Sequence, residues 1–278
     1  MIKAILTAAV LVTAIGLACA AVLVIAAIFM SVKENEAEKK IRECLPGANC
    51  GACGYTGCDG YAKALAESKN GQVKTNLCIP GADAVSHKIS EILGVEFEDT
   101  VEQVATVRCC GDCDNTEKKA LYSGMETCAA AKLIFGGDTA CAYGCLGRGD
   151  CAAVCPHGAI CLDDGIARVD ARKCIGCGLC AKACPQKIIY LMPDVERQVV
   201  ACSNKQKGAD AVKVCKNACI GCGLCAKNCP TGAITVADNL ASINYELCTR
   251  CGKCGEVCKR GCIRTADYSG KHRQKSAG

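Results

Sequence analysis

The sequence predicts an α+β chain in which several small cysteine-rich units follow one long apolar helix. A cysteine-rich run occurs twice, from Cys174 to Pro185 and again from Cys219 to Pro230, and the copies differ at a single position. Each run adjoins a unit with two short apolar segments around a turn, which predicts a β-hairpin in each. An uncharged stretch from residue 4 to residue 30 precedes these units and predicts the helix.

Both runs have the spacing C-x2-C-x2-C-x3-C-P. In this pattern three thiolates on a tight loop bind one iron-sulfur cubane, and the fourth cysteine binds the neighbouring cluster. A structural zinc site instead uses two CxxC pairs, and a disulfide framework is typical of short secreted chains rather than of 278 residues. The spacing therefore predicts 4Fe-4S clusters and one-electron transfer.

Thirty cysteines, three Phe and no Trp leave little material for an aromatic core. We therefore expect cluster assembly to contribute to folding and the apoprotein to be largely unfolded. The net charge of +5 is modest, and the basic residues are not interleaved with aromatic stacking residues, which disfavours nucleic-acid binding. The sequence contains no flavin, nicotinamide or Walker motif and no pair of catalytic carboxylates. It predicts an electron relay without catalytic residues.

The N-terminal stretch predicts a single transmembrane helix over residues 1–32. At about 1.5 Å per residue its uncharged part exceeds a hydrocarbon core of about 30 Å, and it is longer than the apolar region of a cleaved signal peptide. One basic residue, Lys3, precedes it, whereas several follow it closely: Lys33, Lys39, Lys40 and Arg42. This bias predicts a single-pass protein of the cell inner membrane, with residues 33–44 as a charged stalk on the cytoplasmic side.

A single-cluster domain is predicted over residues 45–107. A C-x2-C-x4-C motif and one later cysteine are expected to hold one 4Fe-4S cluster through Cys50, Cys53, Cys58 and Cys78. Cys44 lies close by and is an alternative ligand. Residues 61–67 and 82–93 are patterned as helices, and the second helix is expected to join this domain to the next.

The stretch LPGANCGACGYTGC, from Leu45 to Cys58, lies behind a lone N-terminal helix and ahead of ferredoxin-type motifs. In this combination the chain resembles the B subunit of the Rnf complex, a membrane-bound, ion-translocating ferredoxin:NAD+ oxidoreductase. The resemblance implies that the chain receives electrons from reduced soluble ferredoxin at the cytoplasmic face. It also implies that the partners of the chain are membrane subunits and a flavoprotein subunit of the same complex, together with the lipid bilayer. The alternative is a polyferredoxin-type carrier, or the ferredoxin subunit of another membrane dehydrogenase or hydrogenase.

Two ferredoxin-like modules, each with two clusters, are predicted over residues 108–190 and 191–262. Each is expected to contain one hairpin, at residues 159–169 and at residues 234–243. The cross-over of the fourth cysteine then gives three complete ligand sets. These are Cys155 with Cys174, Cys177 and Cys180; Cys258 with Cys219, Cys222 and Cys225; and Cys229 with Cys248, Cys251 and Cys254.

The fourth ligand set in these modules is incomplete. When the units are aligned, Arg148 occupies the place of the middle cysteine. The loop then supplies two thiolates, Cys145 and Cys151, and the last cysteine of the following run, Cys184, supplies the third. Either a three-iron cluster forms there or another cysteine completes the set. Cys141 is the predicted fourth ligand, and Cys128 or Cys113 is the alternative. Arg148 either raises the reduction potential of the cluster or is a tolerated solvent-facing residue.

About five clusters are therefore expected. A sixth cluster or another metal is an open alternative for Cys109, Cys110, Cys113 and Cys128, and the other unassigned cysteines are expected to be buried small apolar residues. Residues 263–278 are predicted to form a disordered basic tail, with a contact to anionic lipid or an acidic partner as the alternative. Lysines of the later modules are expected to attract acidic ferredoxin. They are Lys182, Lys187, Lys205, Lys207, Lys213, Lys216 and Lys227.

Overall fold

The structure is a computed structural model, and it describes residues 2–29, 35–68 and 72–270. Within the first of these stretches, side chains are described at residue 6 and at residues 10–25. The two ends of the predicted anchor, the start of the predicted stalk and the last part of the predicted tail, residues 271–278, lie outside the described residues.

Helix α1 (Ile2–Phe29) is continuous. The large apolar side chains described along it are exposed, among them Val12, Leu17 and Leu23. In the described part of the chain, no helix has both the length and the apolarity needed to cross a bilayer. The transmembrane anchor and its orientation stay predictions.

The next unit consists of three helices around one apolar core: α2 (Glu36–Cys44), α3 (Cys58–Glu67) and α4 (Ala82–Leu93). Tyr61 and Leu65 are almost fully buried there. Helix α4 has the predicted bounds. Helix α3 begins earlier than predicted, because the Asn49 side chain accepts a hydrogen bond of 2.8 Å from the backbone N–H of Cys58. This contact places a predicted ligand at the start of the helix.

The first module contains four strands and three short helices: β1 (Gln103–Val107), α5 (Cys128–Leu133), α6 (Asp150–Ala153), β2 (Ile160–Asp163), β3 (Ile166–Val169), α7 (Leu179–Ala183) and β4 (Ile189–Pro193). Strands β2 and β3 form the predicted hairpin, and its turn places Asp164 and Gly165 at positive φ. Strand β1 pairs antiparallel with β4. Residues 103–107 therefore form an outer strand of the module, although the sequence placed them in the helical join.

The second module repeats this arrangement: β5 (Gln198–Val200), α8 (Gly208–Val214), α9 (Leu224–Lys227), β6 (Ile234–Ala237), β7 (Leu240–Ile243), α10 (Lys253–Glu256) and β8 (Ile263–Thr265). Strands β6 and β7 form the second predicted hairpin, and β5 pairs with β8 as β1 does with β4. Strand β8 lies in residues that were assigned to the tail. Beyond it, the Asp267 carboxylate accepts a hydrogen bond of 3.0 Å from the backbone N–H of Ala171. The start of the predicted tail is therefore packed against the modules.

Residues 108–116, which follow β1, connect the two modules. At one end, the Arg108 Nε donates to the carbonyl oxygen of Val200 at 3.2 Å. At the other end, the Thr116 hydroxyl donates to the carbonyl oxygen of Val214 at 2.7 Å. The two adjacent cysteines of this segment are consequently held at the junction of the modules.

Candidate iron-sulfur sites

The cysteine loops turn at glycines with positive φ. In the first complete run these are Gly176 and Gly178, with φ of 68° and 74°. A Cβ on Gly176 would lie 2.5 Å from the carbonyl oxygen of Gln103, so any other residue would displace the backbone. This close approach lets the backbone N–H of Ala105 donate to Cys174 Sγ at 3.4 Å.

The cysteines predicted for the single-cluster domain lie together. We call them site 1: Cys50, Cys53, Cys58 and Cys78. Burial raises the pKa of Cys78 to about 11, and negative charge on Cys58, Cys53 and Cys50 contributes to the increase. A backbone hydrogen bond from Gly81 opposes it. The bare Cys78 thiol therefore stays protonated near neutral pH, and binding of a metal would release its proton.

Site 2 consists of the four thiols predicted from the first run: Cys155, Cys174, Cys177 and Cys180. Burial, followed by negative charge on Cys174 and Cys177, raises the pKa of Cys180 to about 11. Site 2 adjoins site 1. Burial and then negative charge on Cys50 raise the pKa of Cys177, and Lys182 Nζ donates a hydrogen bond to the carbonyl oxygen of Cys50.

Site 3 differs from the prediction. The structure brings Cys128, and not Cys141, to the incomplete set of Cys145, Cys151 and Cys184. Burial is the main cause that raises the pKa of Cys151 to about 12, and negative charge on the other three thiols adds to it. All four thiols line one cavity of about 360 Å³. Cys141 lines a different cavity.

Cys128 reaches site 3 because it opens helix α5. The Thr127 hydroxyl caps this helix by accepting a backbone hydrogen bond of 3.1 Å. The carboxylate of Asp150 accepts two more, from the N–H of Cys128 at 2.7 Å and from that of Ala129 at 2.9 Å. Because Asp150 directly precedes the ligand-loop residue Cys151, it holds the two cysteines together. The N-cap threonine is the one signal for this position that the sequence offers.

Arg148, which replaces the missing cysteine, is buried, so the solvent-facing alternative is wrong. Its guanidinium group pairs with Asp138 at 2.9 Å and with Glu126, and lies over the ring of Tyr122 at 4.1 Å from the centroid. Burial raises the pKa of Asp138, but its own backbone hydrogen bond and the charge of Arg148 outweigh burial and hold it below its ordinary value. Two carboxylates thus balance the cation. Through Tyr122 and Glu126, Arg148 holds in place the segment that precedes Cys128.

The second module brings together site 4, which is Cys219, Cys222, Cys225 and Cys258, and holds site 5, which is Cys229, Cys248, Cys251 and Cys254. Burial and then negative charge on the other site 4 thiols raise the pKa of Cys225. In site 5, burial and then negative charge on Cys248 raise the pKa of Cys254. Cys229 and Cys248 pack against the same buried cluster of apolar residues.

Cys262, which belongs to none of the predicted ligand sets, lies beside site 4. Its Sγ is 3.5 Å from Cys258 Sγ. A hydrogen bond from Cys262 lowers the pKa of Cys219 to about 6. The buried thiol thus stabilises the anionic form of a predicted ligand.

One more cavity, of about 380 Å³, lies at the junction of the modules. We call it the junction cavity, and it is lined by Cys145 of site 3 and by five further cysteines, which are Cys109, Cys110, Cys141, Cys202 and Cys215. The sequence assigned Cys141 to site 3, left Cys109 and Cys110 open, and predicted no ligand role for Cys202 or Cys215. No motif spacing connects all five of these further cysteines, because they come from several segments of both modules.

Cysteine sulfur is the atom that could bind a metal in each of these groups, and the cysteines are free thiols rather than disulfides. Several sulfurs accept backbone hydrogen bonds, such as the one of 3.4 Å from the Ala159 N–H to Cys155 Sγ. Within the described residues, no group of three or more His, Cys, Asp or Glu side chains is arranged to hold a single metal ion. Four cysteine sulfurs around a common space, with N–H groups directed at them, fit the ligand chemistry of a 4Fe-4S cluster.

Three parts of the chain match families of iron-sulfur domains. Residues 173–233 and residues 211–259 each match a family described as a 4Fe-4S dicluster domain. Residues 45–80 match a family described as a putative Fe-S cluster. The matches cover site 1 and both cysteine runs, and they support 4Fe-4S clusters in this chain.

Curated relatives match most of the chain. It is 40% identical over 247 residues to the B subunit of the Na(+)-translocating ferredoxin:NAD(+) oxidoreductase complex of Acetobacterium woodii, covering 88% of this chain and 73% of that protein. It is 41% identical to the B subunit of the proton-translocating complex of Clostridium ljungdahlii, covering 86% and 84%. It is 35% identical to the B subunit of the ion-translocating oxidoreductase complex of Methanosarcina acetivorans, covering 84% and 87%. The chain therefore belongs to the family of B subunits of the ion-translocating ferredoxin:NAD(+) oxidoreductase, or Rnf, complexes.

Proposed function

We propose that this chain is the iron-sulfur electron-transfer subunit of a membrane-bound, ion-translocating ferredoxin:NAD+ oxidoreductase. It takes electrons from reduced soluble ferredoxin and delivers them to flavoprotein and membrane subunits of the same complex. The observation that carries the proposal is the series of cysteine sites that continues from the three-helix unit into both modules. A 4Fe-4S cluster at each site would supply reversible one-electron transfer.

The ligands proposed for sites 1, 2, 4 and 5 are those that the motif spacing predicts. For site 3 we assign Cys128 in place of Cys141, since Cys128 shares the cavity with the other three thiols. Its backbone is held there by the Asp150 carboxylate. Every site then has four thiolates, which is the ligand number of a complete cubane.

Neighbouring sites are joined by the chain itself. Site 1 meets site 2 where Lys182 binds the backbone of Cys50. Sites 2 and 3 exchange ligands, because Cys155 follows the site 3 loop and Cys184 ends the run of site 2. Sites 4 and 5 are related in the same way through Cys229 and Cys258. This arrangement keeps clusters close within each module.

The proposed role includes a membrane anchor at α1. Its described apolar side chains are exposed. Transfer of such side chains from water into a lipid bilayer lowers the free energy. Lysine and arginine lie mainly on its C-terminal side, which favours a cytoplasmic location for the cysteine domains. The anchor would hold the chain at the inner membrane beside its partner subunits.

We propose that ferredoxin docks at the outer edge of site 5. Cys222 and Cys251 are exposed, so clusters in this module lie near the surface. Four of the seven predicted docking lysines already contact groups of this chain: Lys182, Lys205, Lys213 and Lys216. Lys227 is exposed at the end of α9, which contacts α10, where Lys253 is exposed beside Cys251. A basic edge next to an exposed thiol suits an acidic electron donor.

The test uses the complex isolated from membranes in mild detergent. A flavoprotein and membrane subunits should co-purify with the chain. Stopped-flow mixing with reduced ferredoxin should bleach cluster absorbance at a rate that falls as added salt shortens the Debye length from about 30 Å to about 8 Å. Lys253→Glu should slow uptake about tenfold at low salt. Lys88→Glu, an exposed lysine on α4, is the control and should leave the rate unchanged. A soluble chain without partners would contradict the proposed function, and salt-independent uptake would contradict the docking edge.

A further inference from the structure

A large cavity without cysteines lies between the two modules. It has a volume of about 730 Å³, and strand β4 of the first module and strands β5 and β7 of the second contribute to its walls. Most of its lining residues are apolar, among them Leu191, Met192 and Val199. Among the described residues, no cysteine, aspartate or glutamate lines it. The cavity is therefore separate from the iron-sulfur sites, and its polar groups need their own explanation.

The polar side chains of this cavity are two arginines, two tyrosines and one serine. They are Arg108, Arg197, Tyr190, Tyr245 and Ser242, and we call the cavity that they line the arginine cleft. Arg108 Cζ lies 5.2 Å from the ring centroid of Tyr190, and Arg197 Cζ lies 4.7 Å from that of Tyr245. A ring contacts the face of a guanidinium group, whereas the N–H groups point outward in its plane and still need acceptors.

Arg197 is a buried cation without an acidic partner. The residue is 7% exposed, and its Nε has no hydrogen-bond partner within the described part of the chain. Burial lowers the pKa of Arg197, Tyr245 and Cys248 oppose this change, and the positive charge of Arg250 adds to it. None of these groups is a carboxylate. Because a buried charge without a counter-charge costs free energy, an anion at Arg197 would stabilise this part of the molecule.

Arg148 shows the usual solution in the same chain. Its guanidinium group also lies over a tyrosine ring, and its Nε also lacks an acceptor. The terminal nitrogens of Arg148, however, pair with the carboxylates of Asp138 and Glu126. The arginine cleft has the ring and the buried cation without the carboxylates.

The second arginine of the cleft lies near the same tyrosine. Burial raises the pKa of Tyr245, and the positive charges of Arg197 and then of Arg108 oppose this increase. A role for Arg197 toward Cys248 of site 5 alone would leave Arg108 unexplained, because Arg108 lines the cleft from the segment that connects the modules. Two cations near one phenol repel each other, and an anion bound between them would relieve the repulsion.

We propose that the arginine cleft binds a small organic anion, which is a molecule with a phosphate or carboxylate group attached to an apolar group. Arg108 and Arg197 hold the anionic group through their N–H donors, a geometry that suits phosphate and carboxylate oxygens. The apolar lining contacts the rest of the ligand. A concave, mostly apolar cavity of this volume with a few polar groups is typical of small-molecule sites. The site goes beyond the proposed electron transfer, because it contains none of the cysteine ligands.

Binding is measured by isothermal titration calorimetry on the full chain, purified anaerobically in mild detergent. Phenyl phosphate and benzoate are the probes, and at least one of them should bind with one molecule per chain. Inorganic phosphate lacks the apolar group and should bind more weakly, whereas benzyl alcohol lacks the charge and should not bind. Failure of both phenyl phosphate and benzoate to bind would overturn the proposal, as would equal affinity for benzyl alcohol.

Two variants test the arginines. Arg108→Gln and Arg197→Gln should each weaken binding of the better probe at least about tenfold, because each removes a charged hydrogen-bond donor. Arg172→Gln is the matched control, since Arg172 pairs with Asp170 at the surface, and it should keep the wild-type affinity. Unchanged affinity in Arg108→Gln and Arg197→Gln would overturn the proposal.

Two further measurements keep the test independent of variant folding and of site 5. The bound probe should raise the midpoint of thermal unfolding of the wild-type chain, which needs no variant. A redox titration followed by electron paramagnetic resonance compares site 5 in Arg197→Gln and the wild type. A shifted site 5 potential with unchanged probe affinity would mean that Arg197 acts toward site 5 alone, against the proposal. These binding measurements involve no ferredoxin, so they are separate from the test of the proposed function.

Discussion

The two modules have the same arrangement of strands but differ in the residues around their first cysteine loops. In the second module, site 4 takes three thiols from one regular loop. In the first module, the middle position of the equivalent loop is Arg148, and Cys128, at the start of helix α5, lines the same cavity as the remaining thiols of site 3. The place of the middle cysteine is thus taken by a buried arginine that pairs with Glu126, two residues before Cys128.

The two loops also differ in how they are held in place. The site 4 loop needs glycine turns and its own backbone, whereas site 3 depends on Arg148, Asp138 and Asp150 acting from separate segments. Site 3 should therefore respond to substitutions of residues that are not ligands. Site 4 offers the internal reference in the same molecule.

The largest effect is expected from Cys128→Ala. With three thiolates left, site 3 should lose between about one and about four iron atoms, while site 4 keeps its spectrum. Iron analysis and electron paramagnetic resonance of the full chain measure this. Cys113→Ala is the control, since Cys113 was the other alternative ligand and is exposed. An unchanged iron content in Cys128→Ala would remove Cys128 from site 3.

A smaller effect is expected from Arg148→Ala. It leaves the Asp138 carboxylate buried with Lys118, at 3.4 Å, as its remaining ion-pair partner in the described structure. Breaking a buried pair on one side should lower the free energy of unfolding by about 3 kcal/mol, measured by chemical denaturation followed by circular dichroism.

The matched control for this variant is Arg172→Ala. Arg172 pairs with Asp170 at 3.0 Å at the surface, where a pair contributes under about 1 kcal/mol. Similar losses in the two variants would mean that Arg148 is no more important than a surface arginine.

The smallest effect is expected from Asp150→Ala. It removes the acceptor of two backbone hydrogen bonds at the start of α5 and should lower stability by about 1 kcal/mol. The sharper readout is the rate at which a chelator removes iron from site 3, which should rise while the rate for site 4 stays constant. Asp210→Ala, in the first turn of α8, is the control. A parallel rise at both sites would indicate general destabilisation.

Local signals predicted the hairpins and four of the cysteine groups. Asp164-Gly165 specifies a tight turn, and the cysteine spacing defines loops whose ligands are close in sequence. Residues 103–107 were missed as a strand because their pairing with β4 is distant in sequence. Strand β8 was missed for the same reason, since it follows a basic segment and pairs with β5.

The structure places Cys128 rather than the predicted Cys141 in the site 3 cavity, for a physical reason that one sequence does not reveal. Cys141 is closer along the chain to Cys145 than Cys128 is, so spacing favoured it. The decisive contact is the Asp150 carboxylate on the backbone of Cys128, and nothing in the sequence marks that partnership. The junction cavity was even harder to predict from the sequence, because its thiols come together only when the two modules pack against each other.

The junction cavity also imposes an order on the biogenesis of the protein. Cys202 and Cys215 emerge from the ribosome after the whole of the first module, so the cavity cannot exist while that module stands alone. Arg108 and Thr116 must first find their acceptors on β5 and α8. The junction cavity can therefore close only after both modules have been synthesised and have packed against each other.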